Sequence, residues 1–197
     1  MKSNTVWLVI PCYNEQEVLP ETSKQLRDIM HGLMAEGKIS SQSRIAFVND
    51  GSKDMTWNII SQLHEEDQIF TGINLAHNRG HQNALLAGLM TAKDYADAAI
   101  SLDADLQDDV GAIGQFIDKF LEGKDIVYGV RSTRATDTVF KRGTAHAFYK
   151  VMKFMGADTL EDHADYRLMS KRALEGLAQF KEVNLFLRGI VPMIGYE

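Results

Sequence analysis

Five short apolar runs, each followed by a polar loop and then a helical pattern, restrict the fold of this chain more than any other feature. The runs are Val6–Pro11, Arg44–Asn49, Phe70–Leu75, Ala98–Asp103 and Ile126–Val130. Each is short and aliphatic or β-branched, as strands are. Between them Leu19, Leu26, Ile29, Met30, Leu33 and Met34 recur at three-and-four spacing within 18–36. Trp57, Ile59 and Ile60 continue the pattern, His81–Ala92 is rich in Ala, Leu and Met, and Ile113, Phe116, Ile117 and Phe120 form a further stripe. Strands alternating with helices predict an α/β fold with right-handed crossovers and a mostly parallel central sheet flanked by helices. Ligands of such sheets bind beyond the carboxyl ends of the strands. Chemistry is therefore expected in the loops PCYNE, NDGSKD, AHNRGHQN, DADLQD and GVRSTR. Past residue 135 the pattern changes to a long helix over 139–155, a polar connection, a short strand over 165–169 and a last helix.

The chain of 197 residues fits one domain, 1–197, large enough to bury a core. With 45% hydrophobic and 24% charged residues, only 3 prolines and no low-complexity tract, it reads as globular and without internal linkers. A single cysteine, Cys12, excludes an internal disulfide and a cysteine-built zinc site, and suits a reducing compartment. No stretch approaches the roughly 20 apolar residues that span a bilayer, so the chain by itself is expected to be soluble. A net charge of −6 disfavours nonspecific binding of nucleic acid or anionic lipid by the chain as a whole. Yet residues 131–153 carry Arg131, Arg134, Lys141, Arg142, Lys150 and Lys153 against Asp137 alone, a local balance of +5. A phosphate-bearing partner or a solvated helix face would account for it.

The sharpest chemical signal is Asp103-Ala104-Asp105-Leu106-Gln107-Asp108, at the end of an apolar run. Residues two apart on a strand share a face, so Asp103, Asp105 and Gln107 are expected to converge. Carboxylates with an amide oxygen suit Mg²⁺ or Mn²⁺ bound together with substrate phosphates. The plain alternative is a solvated acidic turn ahead of the helix near Gly111. After the second run, Asp50 is placed to accept the ring N–H of uracil or guanine, and Gly51 permits close backbone approach. The alternative there is a turn in which Ser52 or Asp54 caps the next helix. Tyr13 offers a ring to stack on a base, beside Pro11 and Glu15. Cys12 lacks the partner base a nucleophile needs. Asn78–Asn83 opens a helix whose N-terminal amides favour phosphate, although neither a P-loop nor G-x-G-x-x-G is present. The six histidines show no paired metal spacing, and His163, beside Asp162 and Asp165, stands out among them.

In order along the chain stand VIPCYNE, VNDGSKD, HNRGHQNALLAGL, LDADLQD, YGVR, ADYRLMS and FLRG. With these seven motifs the chain resembles family 2 glycosyltransferases, in the branch of dolichyl-phosphate mannose synthase and bacterial polyprenyl-phosphate glycosyltransferases. The resemblance covers nearly the whole chain. It implies a GT-A fold, with a Rossmann-like nucleotide-sugar and metal half over about 1–130 and an acceptor half over about 131–197. It implies an inverting transfer from a UDP- or GDP-sugar to polyprenyl phosphate at the cytoplasmic side of the cell membrane. Pro11, Tyr13, Glu15 and Asp50 would hold the nucleoside, and Gly80, Asp103 and Ala104 would complete the nucleotide site. Asp103, Asp105 and Gln107 would hold Mg²⁺ or Mn²⁺. Asp165, with Asp105, falls at the catalytic positions, and Arg131 and Arg142 are expected at the acceptor phosphate.

Three departures from the family pattern stand out. His81 occupies a position where many relatives have Lys, and Asp109-Val110 replaces a frequent Pro pair. Polyprenyl-phosphate enzymes usually continue into amphipathic and transmembrane helices, whereas this chain ends at Tyr196-Glu197; the resemblance implies such segments beyond it. Two other functions stay open: a family relative with a soluble or saccharide acceptor, and a noncatalytic nucleotide-binding module. Sugar nucleotidyltransferases typically begin with a Gly-rich basic loop after the first strand, which PCYNE is not.

Overall fold

The computed structural model describes residues 3–130, 163–180 and 187–195. Strands β1 (Val6–Cys12), β2 (Arg44–Asn49), β3 (Phe70–Asn74), β4 (Ala98–Ser101), β5 (Ile126–Val130) and β6 (His163–Ser170) form one sheet in the order β3-β2-β1-β4-β6-β5. The described helices are α1 (Leu19–Ala35), α2 (Thr56–Glu66), α3 (His81–Tyr95), α4 (Ala112–Leu121), α5 (Lys171–Leu177) and α6 (Leu187–Met193). The parallel expectation holds across β3, β2, β1 and β4. The sheet then changes sense, because β6 lies antiparallel between β4 and β5. The helix expected over 139–155 falls outside the described residues, as do Arg131 and Arg142.

Every residue of β1 is buried, which is why that run is apolar throughout rather than alternating. Its alternation appears instead in which face each side chain joins. Val6, Leu8, Ile10 and Cys12 pack with α1, α2 and α4, while Trp7 and Val9 pack with α3 and α5. Helix α3 lies close on the second face. A methyl group added at Gly88 would sit 2.4 Å from Val9 Cγ1 and 2.8 Å from Val48 Cγ2. That close packing seats the middle of α3 directly on β1 and β2.

Strand β1 is the switch point, with β2 on one side and β4 on the other. Connections leave such a strand in opposite directions and open a crevice at its carboxyl end. Among the described residues no helix is long and apolar enough to cross a membrane.

Candidate functional site

The loop after β1 is fastened to the loop after β2 by the latter's side chains. Asn14 N–H donates to Ser52 Oγ at 3.0 Å, Glu15 N–H to Thr56 Oγ1 at 2.8 Å and Gln16 N–H to Asp54 Oδ2 at 3.2 Å. In return Asn14 Oδ1 accepts from Lys53 N–H at 2.9 Å. Asn14 holds a left-handed backbone at φ 56°, a region asparagine tolerates better than most residues. Neither capping candidate occupies the N-cap of α2, which is Met55 without a side-chain cap bond: Asp54 accepts from Thr56 N–H at 3.0 Å one residue earlier, and Ser52 serves the first loop.

Asp50 is buried, at 2% exposure, and both of its oxygens are engaged. Arg79 N–H donates to Oδ1 at 2.6 Å and Gly80 N–H to Oδ2 at 2.9 Å. The sequence suggested an acid turned toward a base; the structure adds a second task, holding the loop before α3. Gly51 is likewise explained within the chain. At φ +66°, a Cβ there would stand 2.5 Å from Asn78 N and 2.7 Å from the His77 carbonyl carbon. What approaches Gly51 closely is the chain's own 77–78 backbone.

These loops enclose a cavity of about 180 Å³ lined by Pro11, Cys12, Tyr13, Glu15, Asp50, Asn78, Gly80, His81 and Ala84. Five residues singled out from sequence, Pro11, Tyr13, Glu15, Asp50 and Gly80, therefore share one wall system. Burial and, secondarily, the charge of Glu15 push the Cys12 thiol far up, which keeps it protonated and unreactive.

The acidic motif is arranged differently from a strand. Strand β4 ends at Ser101, and residues beyond it leave the sheet. The two-residue alternation that was expected to converge Asp103, Asp105 and Gln107 therefore does not apply. The loop is shaped by three other features. Thr22 Oγ1 of α1 donates to Ala104 O at 2.6 Å, Leu106 takes a left-handed φ of 51°, and Asp105 Oδ1 accepts from Gln107 N–H at 3.1 Å. Ala104 is buried while Asp105 and Gln107 are exposed. Among the described residues no group of three or more His, Cys, Asp or Glu forms a ready metal cage. Two carboxylates fit a divalent ion that draws its remaining ligands from a diphosphate and water. Asp103 meets His81 Nε2 through Oδ1 at 3.0 Å, and its Oδ2 makes no hydrogen bond among the described residues.

Glu15 reports the charge of this pocket. Burial first, then the charges of Asp105, Asp54 and Asp103, raise its carboxyl above the ordinary glutamate range. A raised folded-state value means that the native state binds this proton more tightly than the unfolded chain does. Stability is therefore lost as pH rises from the unfolded value through the folded one, and the penalty is complete above both. Glu15→Gln is expected to raise the Tm of the ligand-free protein at pH 7 and to leave it unchanged below about pH 3.5. Thermal melts across that range check it; a Tm at pH 7 equal to the parent's would mean the acidic wall does not repel itself.

Across the crevice, β6 brings Asp165 and Arg167 to one face two residues apart. Both are buried, at 5% and 2% exposure, and Arg167 donates to Asp165 Oδ1 at 2.6 Å. Gln82 Nε2 of α3 donates to Asp165 Oδ2 at 3.2 Å, and His81 Nδ1 lies 3.9 Å from the same oxygen. Ser101 Oγ donates to the Asp165 carbonyl. Sequence reasoning missed Gln82, Thr22 and Ser101. Arg167 carried a usable signal, since a two-residue spacing along a strand pairs it with Asp165, and Gln82 stood in the singled-out stretch Asn78–Asn83 without a role of its own; Thr22 and Ser101 carried none. The His163 side chain lies outside what is described.

Three comparisons bear on this site. A family model described as glycosyl transferase family 2 matches residues 7–177. An uncharacterized glycosyltransferase, YkoT, of Bacillus subtilis is 53% identical over 190 residues, covering 96% of this chain and 56% of that protein. A bactoprenol glucosyl transferase of Shigella phage SfV is 38% identical over 189 residues, covering 95% of this chain and 59% of its own length. The chain thus spans less than two thirds of the curated relatives it matches. Among solved structures, the mannosyltransferase PcManGT of Pyrobaculum calidifontis in complex with GDP-Man and Mn²⁺ superposes with a TM-score of 0.64 at 16% identity, covering 100% of this chain and 54% of that one. Glucosyl-3-phosphoglycerate synthase of Mycobacterium tuberculosis gives a TM-score of 0.54 at 17% identity, covering 86% and 58%.

Proposed function

Because the chain belongs to glycosyl transferase family 2 and has the GT-A fold, we propose that it is an inverting transferase moving a sugar from a UDP- or GDP-sugar to polyprenyl phosphate at the cytoplasmic membrane face. One observation carries this reading. The cavity that gathers Pro11, Tyr13, Glu15, Asp50 and Gly80 shares its His81 wall with Asp103 and Asp165. A nucleoside in the cavity would direct its diphosphate toward Asp103 and its sugar toward Asp165. The bactoprenol glucosyl transferases among the relatives support the lipid acceptor.

Asp103 and Asp105, with Gln107, would hold Mg²⁺ or Mn²⁺. Such an ion supplies Lewis acidity toward the charge of the leaving nucleotide diphosphate. Tyr13, exposed at the cavity mouth, would stack on the base. The Asp50 carboxylate accepts from the backbone amides of Arg79 and Gly80, while its remaining lone pairs would face the base edge. An acceptor phosphate, by analogy with phosphorylated side chains, has a second pKa of about 6 and arrives largely ionised. Its oxygen forms the new bond to the anomeric carbon from the side opposite the leaving group. The bond to the β-phosphate oxygen breaks with its electron pair, and the centre inverts. Asp165 would orient the acceptor, serving as a base only for a hydroxyl.

The +5 segment would meet the acceptor, with Arg131 and Arg142 at its phosphate because guanidinium offers paired donors. The test uses purified protein, a panel of UDP- and GDP-sugars, Mn²⁺ and polyprenyl phosphate. Arg131→Ala and Arg142→Ala are expected to raise the acceptor KM about tenfold or more, at 1.5–3 kcal/mol for a charged hydrogen bond, with donor KM and donor hydrolysis unchanged. Transfer indifferent to both substitutions would leave the segment as a solvated face. Transfer to a soluble saccharide but never to the lipid would replace the acceptor.

A further inference from the structure

We propose that the first turn of α3 is a positioning element in which Gln82 fixes the Asp165 carboxylate while His81 fixes Asp103. The inference rests on the donor and acceptor reading above and adds Gln82 to it, with the task of setting how the two carboxylates are held. Consecutive side chains of one turn grip two carboxylates from different strands, Asp103 beyond β4 and Asp165 on β6. The turn is itself held. Asp50 binds the Arg79 and Gly80 amides, and the 77–78 backbone rests against Gly51. Gly88 locks the same helix onto Val9 and Val48. The separation of the two carboxylates is therefore set by a piece of backbone anchored at both ends.

The chemistry of Gln82 shows what its amide is for. Arg167 donates to Asp165 Oδ1, and a carboxylate so paired accepts hydrogen bonds on its other oxygen. The Gln82 amide must then turn its NH₂ toward Asp165, because the flipped rotamer would oppose two acceptors. Its carbonyl oxygen, Oε1, is left buried and without a hydrogen-bond partner among the described residues. A buried orphan acceptor is disfavoured, so glutamine is a poor choice for packing alone. It is a good choice for fixing a carboxylate without adding charge. His81, exposed on its outer side, completes the pair by meeting Asp103 with one ring nitrogen and facing Asp165 with the other.

Gln82→Met removes both the donor and the orphan oxygen at similar length, so structure and positioning predict opposite results. A positioning role gives a Tm equal to or above the parent's, donor KM within about twofold, and kcat lower by about 10–100-fold, as a displaced reacting group costs. A kcat within about twofold of the parent overturns the proposal, and so do Tm, donor affinity and kcat falling together. Gln82→Glu, which sets a second carboxylate against Asp165, must also lose kcat with donor KM preserved; both variants failing to fold assigns Gln82 to structure alone and overturns it. Rates are read as ratios to the parent, on lipid transfer or on metal-dependent donor hydrolysis. A parent that hydrolyses donor without glycosylating polyprenyl phosphate removes the acceptor reading and leaves the Gln82 ratio decisive. A parent that turns over no nucleotide sugar removes both.

Discussion

Asp105→Ala is expected to abolish Mn²⁺-dependent binding of a nucleoside diphosphate and to lower turnover by about 10²–10³-fold, the loss typical of removing one preorganised group that stabilises developing charge. The effect should be large because the pocket has few carboxylates to spare. Two of them, Asp103 and Asp105, with the Gln107 amide, would face the ion, and no group of three His, Cys, Asp or Glu is available to substitute among the described residues. Asp105 is also the cleaner of the two to remove. It is exposed and accepts one local bond, from Gln107 N–H at 3.1 Å, whereas Asp103 also meets His81. The fold should lose no more than about 1 kcal/mol, the net value of a single hydrogen bond. Calorimetric titration of UDP and GDP with and without Mn²⁺, beside thermal melts of the free protein, separates the two effects. Full Mn²⁺-dependent turnover in Asp105→Ala would remove the metal from this loop.

Arg167→Met is expected to be strongly destabilising, by about 3–5 kcal/mol. Arg167 and Asp165 are almost fully enclosed, and Arg167 also reaches Leu187 O at 3.5 Å, the first residue of α6. Removing the cation takes the countercharge from Asp165 Oδ1 while Gln82 Nε2 stays on Oδ2, and a buried carboxylate that loses its paired cation costs more than the pair contributes. In a chain of this size the loss corresponds to a Tm lower by roughly 10 °C. The second arm removes both charges. Asp165→Leu combined with Arg167→Met is expected to recover most of the lost stability, because the uncompensated charge has gone, and to remain inactive. Chemical denaturation of the parent, the single and the double variant decides the matter. A double variant no more stable than the single one would show that Arg167 acts through packing, not through Asp165.

Much of the fold was legible because strand and helix periods are local properties. The six residues from Arg44 to Asn49 declared a strand by composition alone, and β2 has those bounds. Strands alternating with helical patterns predicted a sheet flanked by helices, and the cluster memberships of Val6, Leu8 and Ile10 against Trp7 and Val9 agree. Strand β4 was drawn two residues too long. Leu102 is apolar and buried like its neighbours, so the pattern continues although the ladder has ended at Ser101. The antiparallel entry of β6 between β4 and β5 was likewise illegible. Which strand fills a gap in a sheet depends on distant pairing, not on the composition of the strand itself.

The same division runs through the candidate site. Tyr13, Asp50 and the acidic motif were named because they stand in polar loops after apolar runs, which an α/β topology collects at one edge, while Pro11, Glu15 and Gly80 took their nucleotide roles from the family resemblance. The sequence by itself thus determined the class of fold, the edge at which chemistry gathers and most of the residues that reach it. Only the tertiary structure decided how those residues are held. Asp50 binds the amides of residues 29 and 30 positions away, Thr22 reaches Ala104 over 82, and Gln82 reaches Asp165 over 83. No local period encodes a hydrogen bond across such separations. Its partners meet only after hydrophobic burial has stacked α1 and α3 on opposite faces of the sheet, where unpaired polar groups must find one another out of reach of water.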